Sequence, residues 1–108
     1  MDEIKVLVKK PNERCELRTI DNCLETFQGI VGGWIEIAGN LADVGHEDII
    51  CICNEEGKLK GLEPNLYLNG DFIVGTIILC GVDGDEFADF PFDPYDDPLW
   101  KFAMEERK

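Results

Sequence analysis

Apolar and polar residues alternate near the start of the chain, and this period of two predicts a β-hairpin. A strand over residues 4–8 would place its apolar side chains on one face. Pro11-Asn12 supplies a turn. Residues 15–19 alternate in the same way and predict a second strand, paired with the first.

After the hairpin, the apolar residues recur at the three- to four-residue spacing that is typical of a helix. Asn22 and Glu25 have the spacing of a capping box, with Asn22 as the N-cap. Four apolar residues then form one stripe: Leu24, Phe27, Ile30 and Val31. Gly32-Gly33 would end the helix, because glycine adopts the left-handed conformation without a Cβ clash.

The middle of the chain has the pattern of short strands joined by polar turns. Strands are predicted at residues 34–38, 48–53 and 58–62. A polar loop over residues 39–47 would separate the first two, and a tight turn over residues 54–57 the last two. Pro64 would end the third strand, because proline lacks the ladder donor.

The most apolar run, residues 72–80, predicts a central strand that is buried on both faces. Gly75 inside the run indicates a bulge or a close approach of another segment. A turn at residues 83–85 and an irregular stretch at residues 87–95 are expected to follow.

A last helix is predicted from Asp97 or Pro98 to Glu106, since Asp97 is a good N-cap and proline suits the first helical position. Its inward residues would be Leu99, Phe102 and Ala103. With short connections throughout, the order of elements predicts one α+β domain over residues 1–108. It would be a mostly antiparallel sheet of five or six strands with one or two helices packed on it.

Composition agrees with a globular domain. The 108 residues are 44% hydrophobic, which is ordinary for a packed core. The chain has no apolar run near the length of a membrane span, and the residues after Met1 do not resemble a secretory signal. Five cysteines without CxxC spacing indicate reduced, mostly buried thiols, so we expect a cytoplasmic protein.

The charge is unusual for a domain of this size. Twenty-three acidic residues face ten basic ones, for a net charge of −13. The first twenty residues are nearly balanced, so most of the negative charge follows the predicted hairpin. This balance argues against free nucleic acid and anionic membranes as partners and favours a basic protein surface.

Five segments carry a resemblance to a known family. They are DNCLE at 21–25, VGGWIE at 31–36, CNEEG at 53–57, GLEPN at 61–65 and GDFIVGT at 70–76. As a set they resemble a domain-of-unknown-function family common on phages, plasmids and conjugative elements of Gram-positive bacteria. The resemblance covers residues 3–82 and leaves residues 83–108 as an acidic extension with a helix. It implies an accessory protein of a mobile element, and no activity, cofactor or catalytic residue.

The acidic extension is the main candidate for binding. Its carboxylates are Asp83, Asp85, Glu86, Asp89, Asp93, Asp96 and Asp97. Carboxylates spaced along one face would mimic the phosphates of duplex DNA and occupy a basic groove. Alternatively, they are a solvated loop that keeps the domain soluble. A calcium loop at Asp83, Asp85 and Asp89 has the right oxygen ligands but not the spacing of an EF-hand.

The cysteines and the single histidine give weaker signals. Cys51 and Cys53 lie two apart on a strand and face one side, so a metal site would need two more soft ligands, for which Cys80 is one candidate. Buried thiols that act as small apolar residues are the competing interpretation. His46 would lie in a polar surface loop without the partners of a catalytic base.

Turn residues and tryptophans complete the candidates. Asn54, Glu55, Glu56 and Asn65 fall on turns of the family motifs, where either binding or turn geometry explains them. Trp34 is expected in the core, and Trp100 on the last helix is a candidate interface anchor.

Together these features favour a non-enzymatic binding protein without a cofactor, directed at a basic protein surface, with a nucleic-acid mimic as the concrete form of this hypothesis. One alternative is a small adaptor or self-associating module that uses the C-terminal helix. A structural metal-binding domain is another.

Overall fold

The computed structural model of the protein describes residues 2–106, so Met1, Arg107 and Lys108 lie outside the described residues. Within that range the chain forms eight strands and one α-helix. The strands are β1 (Glu3–Lys9), β2 (Glu16–Asp21), β3 (Ile35–Leu41), β4 (His46–Asn54), β5 (Pro64–Leu68), β6 (Asp71–Val74), β7 (Ile77–Asp83) and β8 (Glu86–Ala88). The helix α1 (Leu24–Val31) follows β2, and 3-10 turns occupy Ala42–Val44 and Trp100–Phe102.

Six of these strands form one antiparallel sheet. The order across it is β2-β1-β7-β4-β3, and β8 pairs with the end of β7. The strands β5 and β6 form a separate two-stranded hairpin. The predicted α+β class, with one helix and a mostly antiparallel six-stranded sheet, is confirmed.

Each face of the sheet carries its own hydrophobic core, because side chains alternate between the faces along every strand. On one face, Phe27 and Val31 of α1 pack on Val6 and Ile78. On the other face, residues of the β5–β6 hairpin and of the C-terminal segment form a second cluster with Leu7, Ile49, Cys51 and Leu79. The sheet is therefore a buried middle layer.

The predicted N-terminal hairpin is confirmed, and α1 differs from expectation only at its start. The N-cap is Cys23, because the Asn22 side chain instead donates to the backbone oxygen of Phe87 at 3.0 Å. Leu24 is half exposed, so the buried stripe consists of the remaining apolar residues. Gly32, at φ 83°, ends the helix as predicted.

The single strand predicted over residues 72–80 is wrong, because Gly75 and Thr76 divide it into β6 and β7. Gly75 has φ 78°, and its N–H donates to the Glu63 oxygen at 2.7 Å. A side chain at Gly75 would lie 2.8 Å from Leu62, so the close approach inferred from the sequence is present. The expected burial on both faces holds for β7, whose first five residues are buried.

The return strand predicted at residues 58–62 is also wrong. Residues 55–61 form successive turns, and the next strand, β5, begins at Pro64. Proline is tolerated there because it is the first residue of a strand. The polar loop at 39–47 is shorter than predicted, since β3 continues to Leu41 and β4 begins at His46.

The last helix is reduced to a single 3-10 turn. The chain around it pairs instead with Cys15, whose N–H donates to the Ala103 oxygen at 2.7 Å and whose oxygen accepts from Glu105 N at 3.0 Å. Leu99 and Phe102 are 82% and 72% exposed, so their predicted inward orientation is wrong.

Two further placements differ from the sequence predictions. Trp34, predicted for the core, is 62% exposed, because it precedes β3 at the edge of the sheet. Phe87 and Ala88 belong to β8 and not to an irregular stretch, since Val82 and Gly81 of β7 pair with them.

Candidate functional site

The direction of the strands assembles a charged surface at one end of the sheet. β1 and β4 begin at this end, and β2, β3 and β7 finish there, because neighbouring strands are antiparallel. The β7–β8 turn lies at the same end, with Asp83 paired to Glu86. We call the exposed carboxylates that it carries the acidic end: Asp2, Glu3, Asp21, Asp43, Glu47, Asp48, Asp83, Asp85 and Glu86.

These carboxylates are closely spaced. At this end β8 pairs with the end of β7 on the side of β1, so six strands lie side by side. Neighbouring strands lie about 4.8 Å apart, so the row spans about 24 Å. Within that width, Glu3 pairs directly with Asp21, and Asp83 with Glu86. Adjacent members of the acidic end therefore lie within a Debye length of about 8 Å at physiological salt. Along these strands the nearest base is Lys5, two positions inside Glu3.

The opposite end of the sheet is different, because acids and bases are mixed there. It holds the end of β1, the start of β2, and the turns after β4. Its basic residues are Lys9, Lys10, Arg14, Lys58 and Lys60, and its acidic residues are Glu13, Glu16, Glu36, Glu55, Glu56 and Glu63. The negative charge of the protein is therefore concentrated at the acidic end and not spread evenly.

The structure divides the predicted patch at residues 83–97. Asp83, Asp85 and Glu86 lie at the acidic end, whereas the others follow the chain across the hairpin-covered face. Asp89 Oδ1 accepts from Lys5 N at 2.8 Å, and Asp93 Oδ1 accepts from Tyr95 N at 2.9 Å.

The last two acids of that patch lie near the C-terminal 3-10 turn. Asp97 Oδ1 accepts from Leu99 N and Trp100 N just before the turn, but the N-cap of the turn is Leu99, so the predicted N-cap role of Asp97 is wrong. Asp96 lines a shallow groove together with two bases, Arg14 and Lys101, and two further acids, Glu105 and Glu106.

The motif residue Asn54 points inward. It is 5% exposed; its Nδ2 donates to the Val31 oxygen at 3.2 Å, and its Oδ1 accepts from Glu56 N at 2.8 Å. Asn54 thus joins the end of α1 to the turn after β4. Glu55 and Glu56 are exposed on that turn.

Asn65 has the same kind of role. Its Nδ2 donates to the oxygens of Lys9 and Gly75, both at 2.8 Å, and its Oδ1 accepts from Lys9 Nζ at 2.7 Å. The side chain therefore ties β5 to the end of β1 and to the break between β6 and β7. The hydrogen bonds of Asn54 and Asn65 therefore give both motif asparagines a structural role.

Trp100 lies in an aromatic cluster that connects the C-terminal segment to the sheet. Its ring meets Phe90 and Phe92 edge-on at 5.2 and 5.8 Å. Its Nε1 donates to Nε2 of His46 at 3.2 Å. His46 is the first residue of β4 and is partly buried, so its predicted place in a surface loop is wrong.

The cysteines divide between the two cores. Cys51 and Cys53 share one face as predicted, whereas Cys80 lies on the other. Burial raises the pKa of both Cys51 and Cys80 to about 12, and burial with the negative charge of Glu36 raises the pKa of Cys53. Among residues 2–106, no three histidine, cysteine or acidic side chains meet as metal ligands would.

The same described range has no helix with the length and apolar character needed to cross a membrane. A family model described as Domain of unknown function (DUF3846) matches residues 4–96. The chain belongs to the DUF3846 family. No curated protein and no solved structure matches it.

The DUF3846 match extends beyond the family-like core expected at residues 3–82 and takes in residues 83–96. It therefore includes the β7–β8 turn and seven of the nine acidic-end residues, all except Asp2 and Glu3. The sequence did not reveal this surface because its members are far apart in the chain. One sequence pattern could have indicated this surface: acids at the start of one predicted strand and at the end of the next. Antiparallel pairing brings these positions to the same end of a sheet.

Proposed function

We propose that this DUF3846 protein is a non-enzymatic binding protein whose acidic end engages the basic surface of a nucleic-acid-binding protein. The observation that carries the proposal is the gathering of nine exposed carboxylates at one end of the sheet. A domain of this size is ordinarily soluble with a net charge of magnitude about 2–8, so solubility alone does not require this arrangement.

The charge density of the acidic end supports mimicry of nucleic acid. Nine charges over about 24 Å correspond to about one per 2.7 Å, and duplex DNA carries one per about 1.7 Å of its axis. Six of the nine groups lie on strands of the sheet, so the ordering cost of binding is low. A groove built to bind phosphates would therefore meet carboxylates at a similar spacing.

The choice of a protein partner follows from the sign of the charge. Phosphate backbones and anionic lipids would be repelled by the acidic end, whereas a lysine- and arginine-lined groove would be attracted over several ångströms. A protein carried by a phage, plasmid or conjugative element would gain from this property, because occupying such a groove inhibits a DNA-binding protein of the host.

The test uses the bacterial DNA-binding protein HU as a basic probe, with fluorescence anisotropy as the readout. We expect binding that weakens steeply as salt rises from about 50 to 200 mM, because ion pairs are screened. We also expect duplex DNA to compete with the protein for HU. Absence of binding at low salt, or an affinity that salt does not change, would reject the proposal.

A pair of matched variants distinguishes an organised surface from bulk charge. The first combines Asp48→Asn, Asp83→Asn and Glu86→Gln at the acidic end. The second combines Glu13→Gln, Glu56→Gln and Glu63→Gln at the opposite end and removes the same three charges. We expect the first to weaken binding about tenfold or more and the second less than about twofold. Equal losses would contradict a specific role for the acidic end.

Self-association is a second candidate, favoured by the exposure of two apolar side chains on the C-terminal 3-10 turn. Leu99 and Phe102 are largely exposed. A second copy would cover them, although the net charge of −13 opposes close contact between copies. Sedimentation of the wild type at high protein and salt concentration, compared with a Leu99→Ser, Phe102→Ser variant, tests this. A monomer in both samples removes the candidate.

A further inference from the structure

A groove of about 370 Å³ separates the edge strand β3 from the β5–β6 hairpin. It lies at the small end of the range of about 300–1,000 Å³ for ligand sites, so its size suits a single side chain better than a cofactor. Its floor is fixed by the core: Cys53, Leu68 and Ile73 are all buried and belong to one hydrophobic cluster. The groove is therefore preformed.

The polar groups around the groove are mostly acidic. Glu36, Glu55 and Asp71 line it together with one base, Lys58. Lys58 Nζ is bonded to the Asp71 carboxylate, so its charge is already balanced. The negative charge of Glu36 reaches the groove floor, where it helps to raise the pKa of the Cys53 thiol. The groove thus has an excess of negative charge over a neutral floor.

An aromatic ring forms one wall of the groove. Phe72 is 55% exposed, and Tyr67, paired with it across the hairpin, meets its ring edge-on at 5.1 Å. This contact holds the Phe72 ring while leaving much of it open. An open aromatic ring beside carboxylates suits a guanidinium group, which stacks on the ring and bonds to carboxylate oxygens.

From this geometry we infer that the groove between β3 and the β5–β6 hairpin binds an arginine side chain of the partner protein. Phe72 provides the stacking surface, and Glu36 and Glu55 accept the guanidinium N–H groups. The inference rests on the proposed function, because the arginine belongs to the basic partner. It adds a second, side-chain-specific contact that is separate from the acidic end.

The test is a two-dimensional NMR titration of the ¹⁵N-labelled protein with the peptide acetyl-Gly-Arg-Gly-amide. A peptide with citrulline in place of arginine is the control, because citrulline keeps the shape and lacks the charge. We expect saturable shifts of the amides of Glu36, Glu55 and Phe72 with arginine, and at least about tenfold weaker binding with citrulline. Equal binding of the two peptides would overturn the inference.

Two variants check the assigned groups. Phe72→Leu should weaken arginine binding about threefold, and Glu36→Gln should weaken it by a similar factor, while Asp85→Asn at the acidic end should leave it unchanged. All three positions are exposed, so each spectrum should remain that of the folded protein. Shifts confined to the acidic end would overturn the groove assignment and leave the proposed function intact. Groove binding without any affinity for HU would instead reject the proposed function.

Discussion

The indole Nε1 of Trp100 donates a hydrogen bond to Nε2 of His46 at 3.2 Å, and this bond joins the C-terminal segment to the first residue of β4. The Phe92 ring also contacts the His46 ring, with 5.2 Å between the ring centroids. The contact needs an unprotonated Nε2, because only a lone pair accepts from the indole. Trp100 therefore stabilises the packing of the C-terminal segment, which has little regular secondary structure, against the sheet.

Replacing Trp100 with phenylalanine should weaken the attachment of the C-terminal segment to the sheet and lower the stability of the protein. The ring contacts are partly kept, whereas the hydrogen bond is lost, so we expect the free energy of unfolding to fall by about 1–2 kcal/mol. Urea denaturation followed by far-UV circular dichroism measures the change. The matched control is Trp34→Phe, which alters an exposed ring and should change stability by less than about 0.5 kcal/mol. Equal effects at the two positions would contradict the proposed role of Trp100 in stabilising the C-terminal segment.

Asn65 should contribute more to stability than an ordinary turn residue. Asn65→Ala removes the donor to the Lys9 and Gly75 oxygens and the acceptor for Lys9 Nζ. We expect a loss of about 2–4 kcal/mol, because two backbone oxygens are left without their partner in a partly buried site. Asn12→Gly is the control: Asn12 has φ 64°, and its Nδ2 donates to the exposed Glu63 side chain, so glycine should be tolerated there. A loss of stability below about 0.5 kcal/mol for Asn65→Ala would contradict this structural role and favour binding as the role of the motif.

Local pattern predicted the elements whose neighbours are close in sequence. The alternation in β1 and β2 and the glycine after α1 were sufficient, because hairpin pairing and helix termination depend on a few adjacent residues. The break at Gly75 was harder to predict. An apolar run is equally compatible with one long strand or with two strands in different sheets, and the outcome depends on contacts with distant residues, such as the Gly75–Glu63 hydrogen bond and the pairing of β6 with β5.

The C-terminal segment and the acidic end could not be predicted locally. Asp97 and Pro98 are good helix-starting residues, but pairing of the backbone with Cys15 competes with helix formation and prevails. The acidic end needs the strand order, because Asp21, Asp48 and Asp83 come together only once the sheet is assembled. Composition gave the amount of charge, and topology gave its location.

The buried thiols should make stability fall at alkaline pH. The pKa of Cys51 and of Cys80 is about 12 in the folded protein, raised by burial from an ordinary value of 9.0. Below pH 9 both states hold the proton, so the full contribution is present. Between pH 9 and about 12 the unfolded state releases protons that the folded state keeps, and stability falls by about 1.4 kcal/mol per pH unit for each thiol.

The measurement is the urea midpoint at several pH values between 8 and 11. Cys80→Ala should lower the starting stability and also reduce the slope with pH, because one raised thiol is gone. Val31→Ala is the matched control, since it also shortens a buried side chain of the core that holds Cys80 but removes no titrating group, so its slope should equal that of the wild type. A Cys80→Ala protein with the wild-type slope would show that the thiol does not titrate in this way.

The like charges of the acidic end should oppose folding, and this cost should respond to salt. Glu3 and Asp21 are directly paired across β1 and β2. Like charges at such positions repel by about 0.2–1 kcal/mol, so Asp21→Lys should raise the free energy of unfolding by a comparable amount at low ionic strength. The gain should shrink in about 0.5 M salt, where the Debye length falls to a few ångströms. Thermal unfolding at both salt concentrations measures it, with Glu56→Lys at the mixed end as the control. If both substitutions stabilise the protein equally, the repulsion arises from the net charge of the whole protein. The acidic end, on which the proposed function depends, would then not be electrostatically distinct from the rest of the surface.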